Sequence, residues 1–483
     1  MKAARVTVGD PSLQPVADVV ADLARPHPPL TTDLHLTLGD LTLAPVAAGA
    51  PISGGDECHR ITTTPTATVC RARTHQGLFR AALHTSLYGP PHAETIEDGP
   101  RYAWRGLMLD TARHFWTVPE LRQIIDLAAI HRLNVLHLHL TDNEGWRIQI
   151  PGLPRLTAGT PHYSTADYTE LQRYAARRHV VIVPEIDFPG HSAAALRAYP
   201  DLAVLPAPTG WSAQLPAPVA LDPREAATRD FVSHVLTELC RMTEGPYVHF
   251  GGDEAFGMDG TLYDQAVVLA RAVIRAGGKQ PLGWQESARA GLDPGDVAQW
   301  WVDPEMIDLP TPGDLDRRPE LAALGLTGDL IATITEFFAP SGDDLARIVG
   351  AGGRVLLSPQ SHLYLDRPYA PAIVPEAQRE RAAGLGFIYE PRTVRDTAGW
   401  DPGAYGLGDE HVAGVEAALW SETLRGFDDL TTMLLPRLAT IARTAWTGRP
   451  TPWNEERRHL AADGRLWAQR GLTFLRSTEI DWT

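Results

Sequence analysis

The sequence predicts an α/β protein, a (β/α)₈ TIM barrel preceded by a small α+β domain. Three observations predict it. The chain has 483 residues, too many for one ordinary domain but suited to a barrel of about 250–400 residues with a module in front. Between residues 106 and 419, short apolar β-favouring runs alternate with stretches of helical apolar spacing, the pattern of repeated βα units. Polar residues follow almost every β run, and that end of the strands is where such barrels carry their chemistry.

Residues 1–98 read as the small domain. Leu34-His35-Leu36-Thr37-Leu38 alternates with period two, as a half-buried strand does. Gly39-Asp40 then Leu41-Thr42-Leu43 predicts a hairpin. Ala67 to Ala72 reads as another strand, and Gln76 to Leu83 has helical spacing. Gly99-Pro100 marks the boundary, and residues 99–483 read as the barrel with a helical tail.

Gly106 to Leu109 is the first barrel strand. Thr117-Val118-Pro119-Glu120 is a capping box with proline in the first turn; Leu121, Ile124, Ile125 and Ala128 continue that helix. Val135 to Leu140 is the second strand. Val180 to Ile186 is the third, a near-continuous apolar run of the kind parallel sheets bury. A helix beginning near Asp222 leads to the fourth strand, Tyr247 to Phe250. The remaining strands are placed at 280–284, 297–300, 355–358 and 412–419. Pro310 to Gly328, rich in Pro, Gly and Asp, reads as a surface insertion, and the segment from Trp453 as a polar helix on the barrel's outside.

Composition narrows the function. Hydrophobic residues make up 44% and charged residues 21%, enough for a large core and ordinary in charge. The net charge of −16 argues against nucleic acid or an anionic membrane as partner. Three cysteines, Cys58, Cys70 and Cys240, are an odd, low count unlike a disulfide framework. Cys58 and Cys70 could pair in principle, but free buried thiols are the preferred reading; no metal-ligand spacing surrounds them, and no metal or cofactor is expected. Met1 to Val6 lacks the apolar core of a signal peptide, and no apolar run is long enough to span a bilayer; a soluble, cytoplasmic protein is expected.

The strand ends carry Asp110 with Arg113-His114, Asp142 to Arg147, Glu185 to His191, Asp253-Glu254, Trp284, Trp300-Trp301, Tyr364-Leu365-Asp366, and Trp420-Ser421-Glu422. A lone histidine after Pro-Gly is more often a turn residue than a catalyst, and a lone tryptophan is usually core. Their recurrence after strand upon strand points to one site. Carboxylates among tryptophans suit a sugar, whose C–H faces stack on aromatic rings while acids and arginine bond the hydroxyls. An apolar wall would also raise the pKa of a general acid for glycoside cleavage.

These pieces resemble the β-N-acetylhexosaminidases of glycoside hydrolase family 20: Arg105 to Phe115, His137 to Asp142, Glu185 to His191, His249 to Glu254, Tyr364 to Asp366 and Leu419 to Glu422. The resemblance runs over roughly residues 100 to 450 in order, and Gln76 to Leu83 is similar to the last helix of the domain preceding that family's barrel. It implies a retaining, substrate-assisted hydrolase, an exception to the two-carboxylate scheme, acting on an oligosaccharide or glycoconjugate with a terminal β-linked N-acetylhexosamine. By this likeness Glu254 is the general acid and then base, and Asp253 orients the acetamido N–H. Tyr364 bonds the acetamido oxygen, and Trp284, Trp301 (rather than Trp300) and Trp420 wall its pocket. Arg113, Asp366 and Glu422 bind hydroxyls, Asp142 and His191 form a relay to Glu254, and Asp187 supports the relay within the substrate-binding set. Asn143-Glu144 departs from the family's Asp-Gln after Asp142. Two other readings stand beside this one: an inactive glycan-binding barrel, and a retaining β-glycosidase with a covalent carboxylate nucleophile.

Overall fold

The computed structural model describes residues 6–25, 33–43, 56–91, 94–206, 219–306, 311–317, 322 and 325–482. Eight parallel strands close into a barrel: β6 Trp104–Asp110, β7 Val135–His139, β8 Val181–Glu185, β9 Tyr247–His249, β10 Gln280–Trp284, β11 Val297–Trp300, β12 Arg354–Leu357 and β13 Val412–Leu419, the last pairing back onto β6. Their residues are buried almost throughout. One set faces the barrel interior and the other faces the helices, which is why the strands read as apolar runs without alternation. The helix after β6, Val118–Ile130, begins with the capping box, Thr117 and Glu120 each satisfying the other's backbone N–H.

A second sheet of five strands precedes the barrel, in the order β1 Val6–Val8, β2 Asp33–Leu38, β4 Ala67–Ala72, β3 His59–Thr63, β5 Thr95–Asp98. The expected hairpin after Leu38 is not formed: residues 39–43 carry no strand, and β2 pairs in parallel with β1 and β4. Alternation showed that β2 has a buried face but could not name its partners.

A buried ionic cluster joins this sheet's neighbourhood to the barrel. Glu57 takes Arg80 at 2.7 Å and Arg105 at 2.6 Å. Arg80, from the helix His75–Tyr88, also donates to the carbonyls of Ala129, Leu133 and His179. At the other end of that helix the Tyr88 hydroxyl donates to Asp463 of the C-terminal helix Trp453–Gln469. Cys58, Cys70 and Cys240 are buried and form no disulfide. Among the described residues no helix is long and apolar enough to cross a membrane. The stretch from Pro310 to Gly328 lies partly outside the described residues; its described part includes the short turn Pro312–Asp314.

Candidate active site

Strand register assembles the site. Asp110 pairs with His139, His139 with Glu185, and Glu185 with His249, which lays these four side chains side by side at the end of β6–β9. Beyond β9 the chain turns through Gly251 (φ 72°) and Gly252 (φ 93°) to Asp253 and Glu254. A Cβ on Gly251 would stand 1.7 Å from Asp187 Oδ1, so only glycine fits there. Asp187 Oδ1 accepts the Gly252 N–H at 3.1 Å, and the Tyr263 hydroxyl donates to the Gly252 carbonyl. Asp187 therefore braces the turn that presents the two acids, rather than offering both oxygens as a hydroxyl contact.

Glu254 is partly exposed and has φ 42°, a left-handed conformation uncommon outside glycine that clusters at functional sites. Its Oε2 lies 3.4 Å from Nε2 of His191, which has φ 48°. His191 Nδ1 meets Asp142 Oδ1 at 3.2 Å. Asp142 Oδ2 takes Arg113 at 2.8 Å and His139 Nε2 at 3.1 Å. Burial opposes charge on Asp142, yet His191 and Arg113 hold it well below the usual carboxylate range; burial likewise opposes charge on His191, and Asp142 raises it well above the usual imidazole range. The pair stands as carboxylate and imidazolium.

Asp253 is buried, with Oδ1 lacking a protein partner and Oδ2 3.9 Å from His191. Burial, and then the neighbouring Asp187, push its carboxyl well above the usual range. Asp187 is itself raised to about 6, by burial and against the pull of His191.

Four aromatic rings stand around this turn. Trp284 and Trp420 are 6.0 Å apart, Trp284 and Trp301 6.4 Å, and Trp301 stacks on Tyr364 at 6.1 Å with planes 8° apart. Trp300 and Trp301 face opposite ways, as successive residues of an extended chain do: Trp300 packs on Tyr405, away from the site. Trp301 is fixed by its neighbours. Gln285 accepts its backbone N–H at 2.9 Å, Glu286 accepts its indole N–H at 3.1 Å, and Phe338, on the helix Gly328–Phe338, closes on its edge at 5.7 Å.

The polar rim is built from three strand ends. Arg113 also meets Glu144 at 3.0 Å and lies 5.2 Å over the Trp420 ring, with one terminal nitrogen left without a hydrogen-bond partner. The departure at 143–144 thus gives Arg113 an extra carboxylate, while the Asn143 side chain caps Ala193. Both oxygens of buried Asp366 lack a protein partner, and burial followed by Glu422 raises its carboxyl well above the usual range. Glu422 is exposed at the rim.

Two residues here escaped the sequence reading. Glu286 is buried, with Oε1 unpartnered, and burial lifts it to about 7. Its position two residues beyond Trp284 was the available signal. Tyr389, on the loop after Asp366, feels Asp366, Glu422 and Glu254; nothing in its sequence neighbourhood marks it. Among the described residues, metal-ligand atoms converge within 4.8 Å in two groups, His137–Glu185–His249 and Asp142–Asp187–His191. In the first, His137 and His249 each lie 3.1 Å from Glu185; in the second, His191 lies 3.2 Å from Asp142.

The catalytic-domain description of glycosyl hydrolase family 20 matches residues 102–310 and 330–449, passing over the stretch read as an insertion. The chain is 35% identical to a β-N-acetylhexosaminidase of Cellulomonas fimi over 509 aligned positions, covering all of this chain and 93% of that protein. It is 29% identical to a β-hexosaminidase of Akkermansia muciniphila, covering 84% and 82%. Among solved structures, it superposes on the Streptomyces plicatus N-acetyl-β-hexosaminidase in complex with thio-NAglucal with a TM-score of 0.78 at 31% identity, covering all of this chain and 94% of that one. The Streptomyces coelicolor A3(2) β-N-acetylhexosaminidase also gives 0.78, at 30% identity, covering 99% and 94%.

Proposed function

Because this chain belongs to glycosyl hydrolase family 20, we propose that it removes terminal non-reducing β-linked N-acetylhexosamine from oligosaccharides or glycoconjugates, with retention and through an oxazolinium intermediate. The observation that carries this is the different settings of two adjacent acids that both lie within 4 Å of His191 Nε2. Glu254 stands beside the His191–Asp142 pair, while Asp253 is buried near the four-ring aromatic cluster with an oxygen unpartnered.

In the first step the acetamido oxygen of the bound sugar attacks its own anomeric carbon, and Glu254 gives its proton to the departing oxygen. Asp253 accepts the acetamido N–H and offsets the positive charge that develops on the ring formed. Tyr364 donates to the acetamido oxygen, aligning it, and Trp284, Trp301 and Trp420 exclude water around the acyl group. Glu254, now a carboxylate, takes a proton from water as that water opens the intermediate, and so returns to its starting form. The imidazolium of His191 faces Glu254 while it carries charge. Arg113, Asp366 and Glu422 hold the hydroxyls at the non-reducing end.

Hydrolysis of p-nitrophenyl N-acetyl-β-glucosaminide, with inhibition by the thiazoline analogue of the intermediate and no turnover of p-nitrophenyl β-glucoside, is the expected result. Comparable turnover of the β-glucoside would overturn the reading, because that sugar has no acetamido group to use.

A further inference from the structure

The hydrogen-bonded chain behind Glu254 does not stop at Asp142. Asp142 Oδ2 takes His139 Nε2 at 3.1 Å, and His139 Nδ1 meets Glu185 Oε2 at 2.7 Å. Glu185 is a branch point. Its other oxygen accepts the indole N–H of Trp284 at 2.9 Å. Its carboxylate also lies 3.1 Å from His137, which meets Glu416 at 2.8 Å; Glu416 in turn takes Trp104 at 2.8 Å. Both Glu185 and His139 are fully buried, and neither has a role in the reaction described above.

We propose that Glu185 is a positioning residue for the reaction, joining the arm that ends on Glu254 to the aromatic wall at Trp284, with His139 as its link to the first. Strand pairing sets Glu185 directly between His139 and His249, so its place does not depend on a loop. Burial opposes its charge, yet His139 and His249 keep it well below the usual carboxylate range, and Glu185 with Asp142 keeps His139 well above the usual imidazole range. A carboxylate can serve indole and imidazolium together. An amide cannot, because one of its ends is a donor that faces another donor. Glu185 therefore sets two distances at once: that of His191 to the acid, through Asp142, and that of Trp284 to the acyl group. A small misplacement in either arm is costly to rate.

The test uses the full chain and a series of aryl N-acetyl-β-glucosaminides from 2,4-dinitrophenyl, which leaves without protonation, to 4-methoxyphenyl, which needs it. Glu185→Gln is expected to lose about tenfold in kcat/KM on the first and about a hundredfold on the last, and to bind the thiazoline about tenfold more weakly. His139→Gln can reach Asp142 or Glu185 but not both. It is expected to steepen the leaving-group dependence; because the His139 ring also packs on Trp420 at 5.0 Å, its thiazoline binding does not separate the two arms. A folded Glu185→Gln that changes only one of these two readouts, or neither, overturns the joint. Should Glu185→Gln fail to fold, an unchanged leaving-group dependence in His139→Gln overturns it instead. The proposal rests on Glu254 as proton donor, which is checked separately. If Glu254→Gln loses no more on 4-methoxyphenyl than on 2,4-dinitrophenyl, that assignment fails, whatever Glu185 does.

Discussion

His191 Nε2 stands 3.4 Å from Glu254 Oε2, and both residues hold left-handed backbone, φ 48° and 42°. Two side chains are brought face to face by two unfavourable turns, each costing of order 1–3 kcal/mol. The turn at Glu254 is preceded by Gly251 and Gly252 and braced by Asp187. The acid and its partner are thereby placed before substrate arrives.

Replacing Glu254 by Gln keeps shape and removes the proton. Turnover of substrates with poor leaving groups should fall by about 10²–10⁴-fold, the usual reach of general acid–base catalysis, with a smaller loss on 2,4-dinitrophenyl substrates. Steady-state kinetics across leaving groups checks this.

Tyr364 should matter through its hydroxyl alone. Its ring stacks on Trp301, so Tyr364→Phe keeps the wall. The loss of one donor to the acetamido oxygen should cost about 10²–10³-fold in kcat, the scale of a lost oxyanion-hole bond. The unfolding midpoint should stay close to wild type.

The acid limb of the pH profile should belong to Asp253 and Asp187 together. Asp253 is raised by burial and then by Asp187, whose own carboxyl lies at about 6, and such a pair titrates as a unit. If the Asp253 anion is the working form, activity is lost as pH falls through the raised value. Asp187→Asn removes the like charge, so the acid limb of kcat/KM should move to lower pH. A limb that stays or rises contradicts the pairing.

Glu57 should hold the first sheet's region to the barrel. It is buried, which raises its pKa, but Arg105 and Arg80 bring it down to about 2. A carboxyl depressed on folding stabilises above its unfolded pKa of about 4.3 and loses that stabilisation as pH falls towards its folded value. Glu57→Gln should therefore cost about 3–5 kcal/mol at pH 7, and the gap from wild type should narrow between pH 4 and pH 2. Denaturant unfolding at both ends measures it.

The barrel was readable because its strands are buried on both faces and stand out as apolar runs between helices. β2 was readable as a strand but not in its pairing, since alternation marks a buried face and says nothing about which neighbour covers it. At the site, polar residues at successive strand ends announced themselves, and Trp301 could be preferred over Trp300. Glu185 passed as a motif letter. Its importance appears only when register sets it between His139 and His249, a relation among residues 46 and 64 positions apart in the chain. Tyr389 was hidden for the same reason, lying in a segment whose place depends on tertiary packing, whereas Glu286, two residues past the end of β10, was within reach of the sequence.

In the proposed mechanism the substrate's own acetamido oxygen is the nucleophile. The direct measurement is kcat/KM for p-nitrophenyl glucosaminides whose N-acyl group carries no, one, two and three fluorines, which drains electron density from that oxygen while barely changing its size. kcat/KM should fall stepwise with each fluorine. A flat series would mean that the oxygen does not attack, and would contradict the mechanism.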